Sequence, residues 1–326
     1  MIRQQRSLRH LLGLASVGAV LLAAASLAGA AGLWSPAEMV RPNDGYDSIF
    51  PNVEVSPDGV VWIVWSTTDP VQGDSETYCV RIENGVQSPR EKIHEDNAIM
   101  DRCPRMSMGS DGIPWVVWER YRSTLGYIQV VTHWTGAGWA PPDTVFTQGS
   151  RWDNYAIHAS SSEDVWVVKS SRAAGRVDRD LYLRHWDGRV WGEIEQLGFE
   201  GEDDEDPALT TDEEGRAWVA WLRWNNITSA EHKVYAARRD EGGWSAPMRV
   251  ENRTGNLGVC DINITPDGRP IIVWDWSLSQ TPDLRYAVLG DTGWAEGGLV
   301  NAPDDPTRDG DGSARLARCA GGDLWV

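Results

Sequence analysis

The chain has 326 residues, with 48 acidic against 30 basic side chains for a formal charge of -18, and it holds 19 Trp but only 3 Phe. A hydrophobic fraction of 41% is enough to bury a sizeable core, which excludes wholesale disorder. The acidic balance, with no basic run, argues against nucleic acid, whose affinity rests on Lys and Arg neutralising phosphates.

Residues 1–30 read as an export signal. Arg3, Arg6 and Arg9 precede an apolar run over 11–30 that closes on the small triplet Ala28-Gly29-Ala30. The run is also long enough to persist as an N-terminal membrane anchor. Either way residues 33–326 are expected outside the cytoplasm, whether periplasmic, secreted or at the cell surface. Four cysteines follow, Cys79, Cys103, Cys260 and Cys319, and none has a C-x-x-C spacing, so zinc-ribbon and thioredoxin-like readings drop out.

The rest of the chain repeats itself. One motif reads SPDGVVWIVW at 56–65 and recurs around Trp62, Trp115, Trp166, Trp218, Ile271 and Trp325, at spacings of 53, 51, 52, 53 and 54. A second, a Gly-rich turn with Trp and often Pro, recurs around Trp34, Val86, Trp139, Trp191, Trp244 and Trp294, at spacings of 52, 53, 52, 53 and 50. Within each unit apolar residues alternate with period two, as in Val53-Glu54-Val55, and no stretch sustains a 3.6 period. Each unit parses as four strands, which is the arithmetic of a propeller blade. Blades pack face to face with a gap that widens outward, and wide, stiff indoles suit that gap. Trp62, Trp65, Trp115, Trp118, Trp218, Trp221 and Trp274 are therefore expected to pack between blades.

The expected fold is all-β, a six-bladed β-propeller of four-stranded blades. The outer strand at Trp34 precedes every inner strand, so it is expected to complete the sixth blade and abolish an open edge. The last repeat stops at Trp325-Val326, about 20 residues short if the period holds. Residues 33–326 thus read as a propeller with an incomplete last blade, and a longer parent with more blades stays open.

The turns before the outer strands, RDEGGWS (239–245), GDTGWA (290–295) and HWDGRVW (185–191), keep an Asp, a Gly and a Trp. In these residues the chain resembles the sialidase-like propellers that carry BNR or Asp-box repeats, over nearly all of 33–326. The turns lack the leading Ser and are shorter than a full Asp box. WD and kelch patterns fit the period and the motifs less well. The resemblance implies a glycoside-processing fold, but the Arg triad, Tyr nucleophile and FRIP segment of active sialidases have no counterpart that can be placed here. Tyr78, Tyr127, Tyr182, Tyr235 and Tyr286 recur at the start of third strands, which argues for packing.

Candidate ligand contacts fall in two groups. Inner strands bring a polar column that includes Arg105, His158, Asp261 and Arg315, either a carboxylate-sugar site reached through Arg or the wall of a watery channel. Loops that break the repeat supply Arg151, Trp152, Asp153 and Asn154, with an indole to stack on a pyranose and polar neighbours for its hydroxyls, and also Trp224 and Trp276. The runs GEDDEDP (201–207) and PDDPTRDGDGS (303–313) are expected to be solvated acidic loops. Asp309 and Asp311 partly match a calcium loop without its closing Glu; Ca2+ is the one ion this pattern offers, and no cofactor is otherwise expected. A Cys79–Cys103 bridge is feasible, against two free thiols.

These observations point to an exported module that binds carbohydrate or another extracellular ligand without chemistry. A sialidase-like glycoside hydrolase or polysaccharide lyase is the enzyme alternative. The third reading is an interaction module of a larger cell-surface protein. Membrane association is expected only through the N-terminal anchor.

Overall fold

The computed structural model describes residues 2–3, 40, 47–68, 74–95, 97–149, 153–198, 201–224, 232–251, 256–277, 283–300, 315–318 and 324–326. They form strands and turns, with no α-helix among the described residues, and none of their elements is a helix long and apolar enough to cross a membrane. The chain divides into two compact units, residues 8–149 and residues 150–326 with residues 1–7.

The first unit holds two antiparallel sheets. One runs Ser48–Val55, Val61–Thr68, Ser75–Glu83 and the short pieces Val86–Gln87 and Glu91–Lys92. The next runs Asp101–Met108, Pro114–Arg122, Gly126–His133 and Asp143–Phe146. The second unit holds three more. The third sheet is Tyr155–Ser161, Asp164–Ser171, Asp180–Trp186 and Glu195–Leu197. The fourth is Asp203–Thr211, Ala217–Trp224, His232–Asp240, Gly243–Trp244 and Met248–Arg249, and the fifth is Asn256–Ile264, Pro270–Ser277, Asp283–Gly290 and Gly293–Leu299. Short segments Ala317–Arg318 and Leu324–Trp325 pair antiparallel, and Ile2–Arg3 runs parallel beside the latter.

The Trp-x-x-Trp motif has a geometric reason. An odd spacing in a strand sends two side chains to opposite faces. Trp218 enters the core between the fourth and fifth sheets, and Trp221 enters the core between the third and fourth. In the first unit Trp62 and Trp118 meet in the core between its two sheets, while Trp65 packs on the other face with Val40 and Tyr78. The two co-periodic motifs meet across these seams: Trp62 stands edge-on to Trp139 at 5.9 Å, Trp166 to Trp244 at 5.8 Å and Trp218 to Trp294 at 6.4 Å. Such pairs add about 0.5–1.5 kcal/mol each beyond area burial. The tryptophans expected between blades are accordingly buried.

Hairpins between first and second strands share one turn. Ser56, Gly109, Asp212 and Thr265 each donate an N–H to the carbonyl four residues on, at 2.8–3.0 Å, and a left-handed glycine three residues on donates back. The inner strands share a bulge as well. Register shifts fall at Ile49/Asn52, Arg102/Arg105 and Glu205/Ala208, each with a positive φ at the residue before a proline: Phe50 (56°), Cys103 (57°) and Asp206 (48°). A non-glycine residue in that region is strained, and bulges of this kind re-aim side chains at sheet edges.

Three expectations are corrected. Trp224 and Trp276 are strand residues, not loop residues, because the second strands run two to three residues further than the motif suggests. Trp224 pairs with Asp203 and His232, and Trp276 packs on the core of the fourth and fifth sheets under the Arg285 guanidinium at 4.4 Å. The recurrent tyrosines occupy three registers: Tyr78, Tyr182 and Tyr235 pair with the equivalent Trp65, Lys169 and Trp221, whereas Tyr127 pairs with Tyr121 and Tyr286 with Val273. Cys79 and Cys103 are free thiols. Cys79 is sealed in the core of the first unit, while Cys103 sits half-buried on the bulge, and burial pushes up the thiols of both, that of Cys103 to about 11.

Candidate functional site

In a four-stranded antiparallel sheet the first and third strands start, and the second and fourth end, at the same edge. Repeat-equivalent positions at that edge carry Asp101, Asp153 and Asp204, 52 and 51 residues apart, all buried. In two of them the repeat is kept. Asp101 Oδ1 accepts from Trp118 Nε1 and Arg120 Nε, both at 2.6 Å, and Asp204 Oδ1 accepts from Trp221 Nε1 and Arg223 Nε, both at 2.6 Å. The carboxylate, the core indole and the arginine thus form a structural clamp that closes the seam to the preceding sheet.

The two seams differ in what surrounds the clamp. In the first unit, Glu76 and His94 approach Asp101. The side chains of all three have 0% exposure, with His94 Nε2 3.1 Å from Glu76 Oε2 and Nδ1 3.6 Å from Asp101 Oδ2. Lys92 Nζ lies 3.1 Å from Glu76 Oε1, and the imidazole stacks on Trp118 at 5.6 Å. Burial opposes protonation of this ring, but Glu76, Asp101 and the Glu95 carbonyl outweigh it and hold His94 above its ordinary range. In the second unit the matching positions are Asp180 for Glu76, Gln196 for Lys92 and Gly198 for His94, because the same strand pairs align them. Gln196 donates to Asp180 at 2.7 Å, and a Cβ on Gly198 would lie 2.0 Å from Asp180 Oδ1. With no imidazole here, burial dominates: Asp180 is raised, and Asp204 is pushed up to about 6 despite Arg223 and Trp221.

The position at Asp153 breaks the repeat. Lys169 and Ser171 replace the indole and the arginine, so Asp153 takes new partners. Ser171 donates to Oδ2 at 2.7 Å and Arg179 Nη1 to Oδ1 at 3.1 Å. Arg179 Nε also lies 3.3 Å from Glu205 Oε1, and its backbone N–H donates to Asp203 at 2.7 Å. Beside them Asn154 donates to Asp206. The side chains of Arg179 and Glu205 are 12% and 29% exposed, so this cluster reaches solvent where the clamps do not. Burial pushes Lys169 down to about 8 against the pull of Asp153, and raises Glu205, with Asp203 and Asp206 adding to it.

The sequence-derived candidates are dispersed. Asp153 and Asn154 enter the Arg179 cluster, and Arg151 and Trp152, their neighbours in sequence, lie outside the described residues, as do Asp309 and Asp311. Asp261 and Arg315 come together: Asp261 accepts from Leu316 N at 2.8 Å, and Arg315 draws the Asp261 carboxyl down against the burial that raises it. His158 is 3.0 Å from Thr211 Oγ1, and burial pushes it down to about 4, so it is neutral at pH 7. Arg105 belongs to the other unit and donates to the Pro104 carbonyl at 3.2 Å. The run 201–207 is corrected outright. Asp203 and Asp204 begin an inner strand with 0% exposure, where Asp203 accepts the Arg179 backbone N–H and Asp204 pairs with Arg223. Lys169 and Arg179 were not singled out by their sequence, and Asp203, Asp204 and Glu205 were read only as part of a solvated run; the signal available was the 52- and 51-residue spacing of Asp101, Asp153 and Asp204 and the break at Lys169.

Solved structures resemble this fold. A protein of unknown function from Dyadobacter fermentans matches with a TM-score of 0.56 at 14% identity, over 82% of this chain and 86% of that one. A PL25 polysaccharide lyase, an ulvan lyase, matches with a TM-score of 0.55 at 12% identity, over 77% and 69%. The Hadza microbial sialidase Hz136 matches with a TM-score of 0.53 at 8% identity, over 77% and 57%. The likeness is one of fold, all-β and propeller-like. No protein-family model matches the chain, and a search of curated proteins finds no match.

Proposed function

We propose that this is an exported six-bladed propeller, residues 33–326 behind a signal or anchor at 1–30, that binds carbohydrate at the edge formed by its third and fourth sheets. The observation that carries the reading is the Arg179 cluster. It keeps the carboxylate of the strand-edge repeat but replaces the indole and arginine of the clamps, and it sets a partly exposed arginine and glutamate beside a buried amine and carboxylate. A small set of convergent polar groups suits the hydroxyls of a sugar, and Trp152 next to Asp153 would add a stacking face. The names of the lyase and the sialidase support the ligand class. Closure of the last blade by the strand at Trp34 belongs to the same proposal; Val40 packing on the first sheet supports it. The test is a glycan array on the full chain: the wild type is expected to bind a defined glycan subset, Arg179→Ala to lose it, and equal binding by both would sink the site.

A second reading is favoured by Glu205. A partly exposed carboxyl raised by burial, beside Asp153 on the same guanidinium, has the character of a general acid paired with a second carboxylate. Release of reducing ends or of unsaturated uronate from an array hit, abolished by Glu205→Gln with binding retained, would establish it.

A further inference from the structure

We propose that Glu76, His94 and Asp101 bind one divalent transition-metal ion, with Zn2+ the best chemical fit. The first unit holds three ligand-type side chains, fully buried, with one donor atom from each within 4.8 Å of the others. Glu76 meets the ring at Nε2, and Asp101 Oδ2 reaches it from the Nδ1 side at 3.6 Å. His94 Nδ1 lies 2.8 Å from the Glu95 carbonyl, an acceptor, so the ring places its N–H there and leaves the Nε2 lone pair inward. Ligating histidines are oriented by this kind of hydrogen bond from the second ring nitrogen. Nε2 then faces Glu76 Oε2 at 3.1 Å, and neither atom has an aligned hydrogen-bond partner in the structure. With that tautomer two buried acceptors face each other, and a cation between them would satisfy both.

A metal ion fits the spacing. With Zn–N and Zn–O bonds of about 2.0–2.2 Å, neighbouring donors of a tetrahedral site stand about 3.4 Å apart. The supporting contacts orient the carboxylates: Lys92 holds Glu76 by Oε1, Trp118 and Arg120 Nε hold Asp101 by Oδ1, and Arg120 Nη2 and Asn97 Nδ2 donate to its Oδ2 at 3.2 and 3.4 Å. One nitrogen and two carboxylates suit Zn2+ over Ca2+ or Mg2+, which prefer an all-oxygen shell. The fourth place would go to water. The imidazole is not something the fold demands, since the equivalent seam of the second unit closes with Gly198 in its place. His94 is therefore a departure from the repeat. The site lies in the first unit and is independent of the carbohydrate reading.

The test uses the full chain, stripped by a chelator and titrated calorimetrically with Zn2+, Ca2+ and Mg2+. One Zn2+ per chain is expected, raising Tm by roughly 5 °C or more at saturation, with no such shift from Ca2+ or Mg2+. His94→Gln and Glu76→Gln are each expected to weaken Zn2+ binding at least about tenfold, and X-ray absorption of the loaded protein to show one nitrogen at about 2.0–2.1 Å in a mixed N/O shell. Should His94→Gln fail to fold by circular dichroism, Glu76→Gln and the absorption spectrum decide. Wild-type protein that neither binds Zn2+ nor gains Tm overturns the proposal and assigns the gap to a proton on His94. Binding that survives in a folded variant overturns it as well.

Discussion

The seam inside the first unit and the seam between the third and fourth sheets are built on the same clamp, yet they handle buried charge in opposite ways. Asp101 and Asp204 take an indole N–H and an arginine in matching geometry. Around Asp101 the chain adds Lys92, which pairs with Glu76, and an imidazole, His94, that reaches both carboxylates. Around Asp204 it has Asp180 in the place of Glu76 and a glycine where the imidazole would be, and burial, with Asp180 adding to it, holds the Asp204 carboxyl above its ordinary range. What the two copies share is structural. What differs between them is where chemistry has room.

The largest effect should come from the shared part. Trp118→Ala and Trp221→Ala each remove a fully buried indole and an orienting bond to the clamp carboxylate, and each is expected to cost about 3–5 kcal/mol in denaturant unfolding. Costs differing by more than about 2 kcal/mol would break the equivalence of the seams. Next is the carboxylate itself. Asp204 has a folded pKa of about 6, above its ordinary value, so its contribution is fully present below the ordinary carboxylate range and is lost as pH rises through about 6. The stability of wild type relative to Asp204→Asn is therefore expected to fall by about 2 kcal/mol between pH 4 and pH 7. A flat difference would mean that Arg223 alone sets the state of Asp204. Gly198→Ala drives a methyl into Asp180 and is expected to cost about 1–3 kcal/mol by thermal unfolding. The smallest effect is local. Asp187 accepts from Arg189 N and Val190 N at 2.9 Å, and Asp187→Ala is expected to cost about 0.5–1 kcal/mol with glycan binding unchanged.

The strands, the turns and the Trp-filled seams were legible because they depend on local patterns: period-two alternation, a left-handed glycine, an odd Trp spacing. The site was less so. Glu76, His94 and Asp101 come from three separate segments, 18 and 7 residues apart, and no metal spacing connects them. The run at 201–207 reads as solvated because its partners come from other segments: the Arg179 backbone N–H for Asp203, the Arg179 guanidinium for Glu205 and Arg223 for Asp204. Asp153 and Asn154 were found because their loop breaks the repeat, and Lys169 was missed although it breaks the same repeat within a strand. Charge pairing across a seam is a property of the register, and register is set by whole strands.

The carbohydrate reading stands on Arg179, and one affinity comparison tests it most directly. Equilibrium binding of the strongest array glycan to wild type, Arg179→Ala and Asp187→Ala should show a loss of at least about tenfold, roughly 1.4 kcal/mol, in Arg179→Ala alone. Wild-type affinity in a folded Arg179→Ala protein would contradict it.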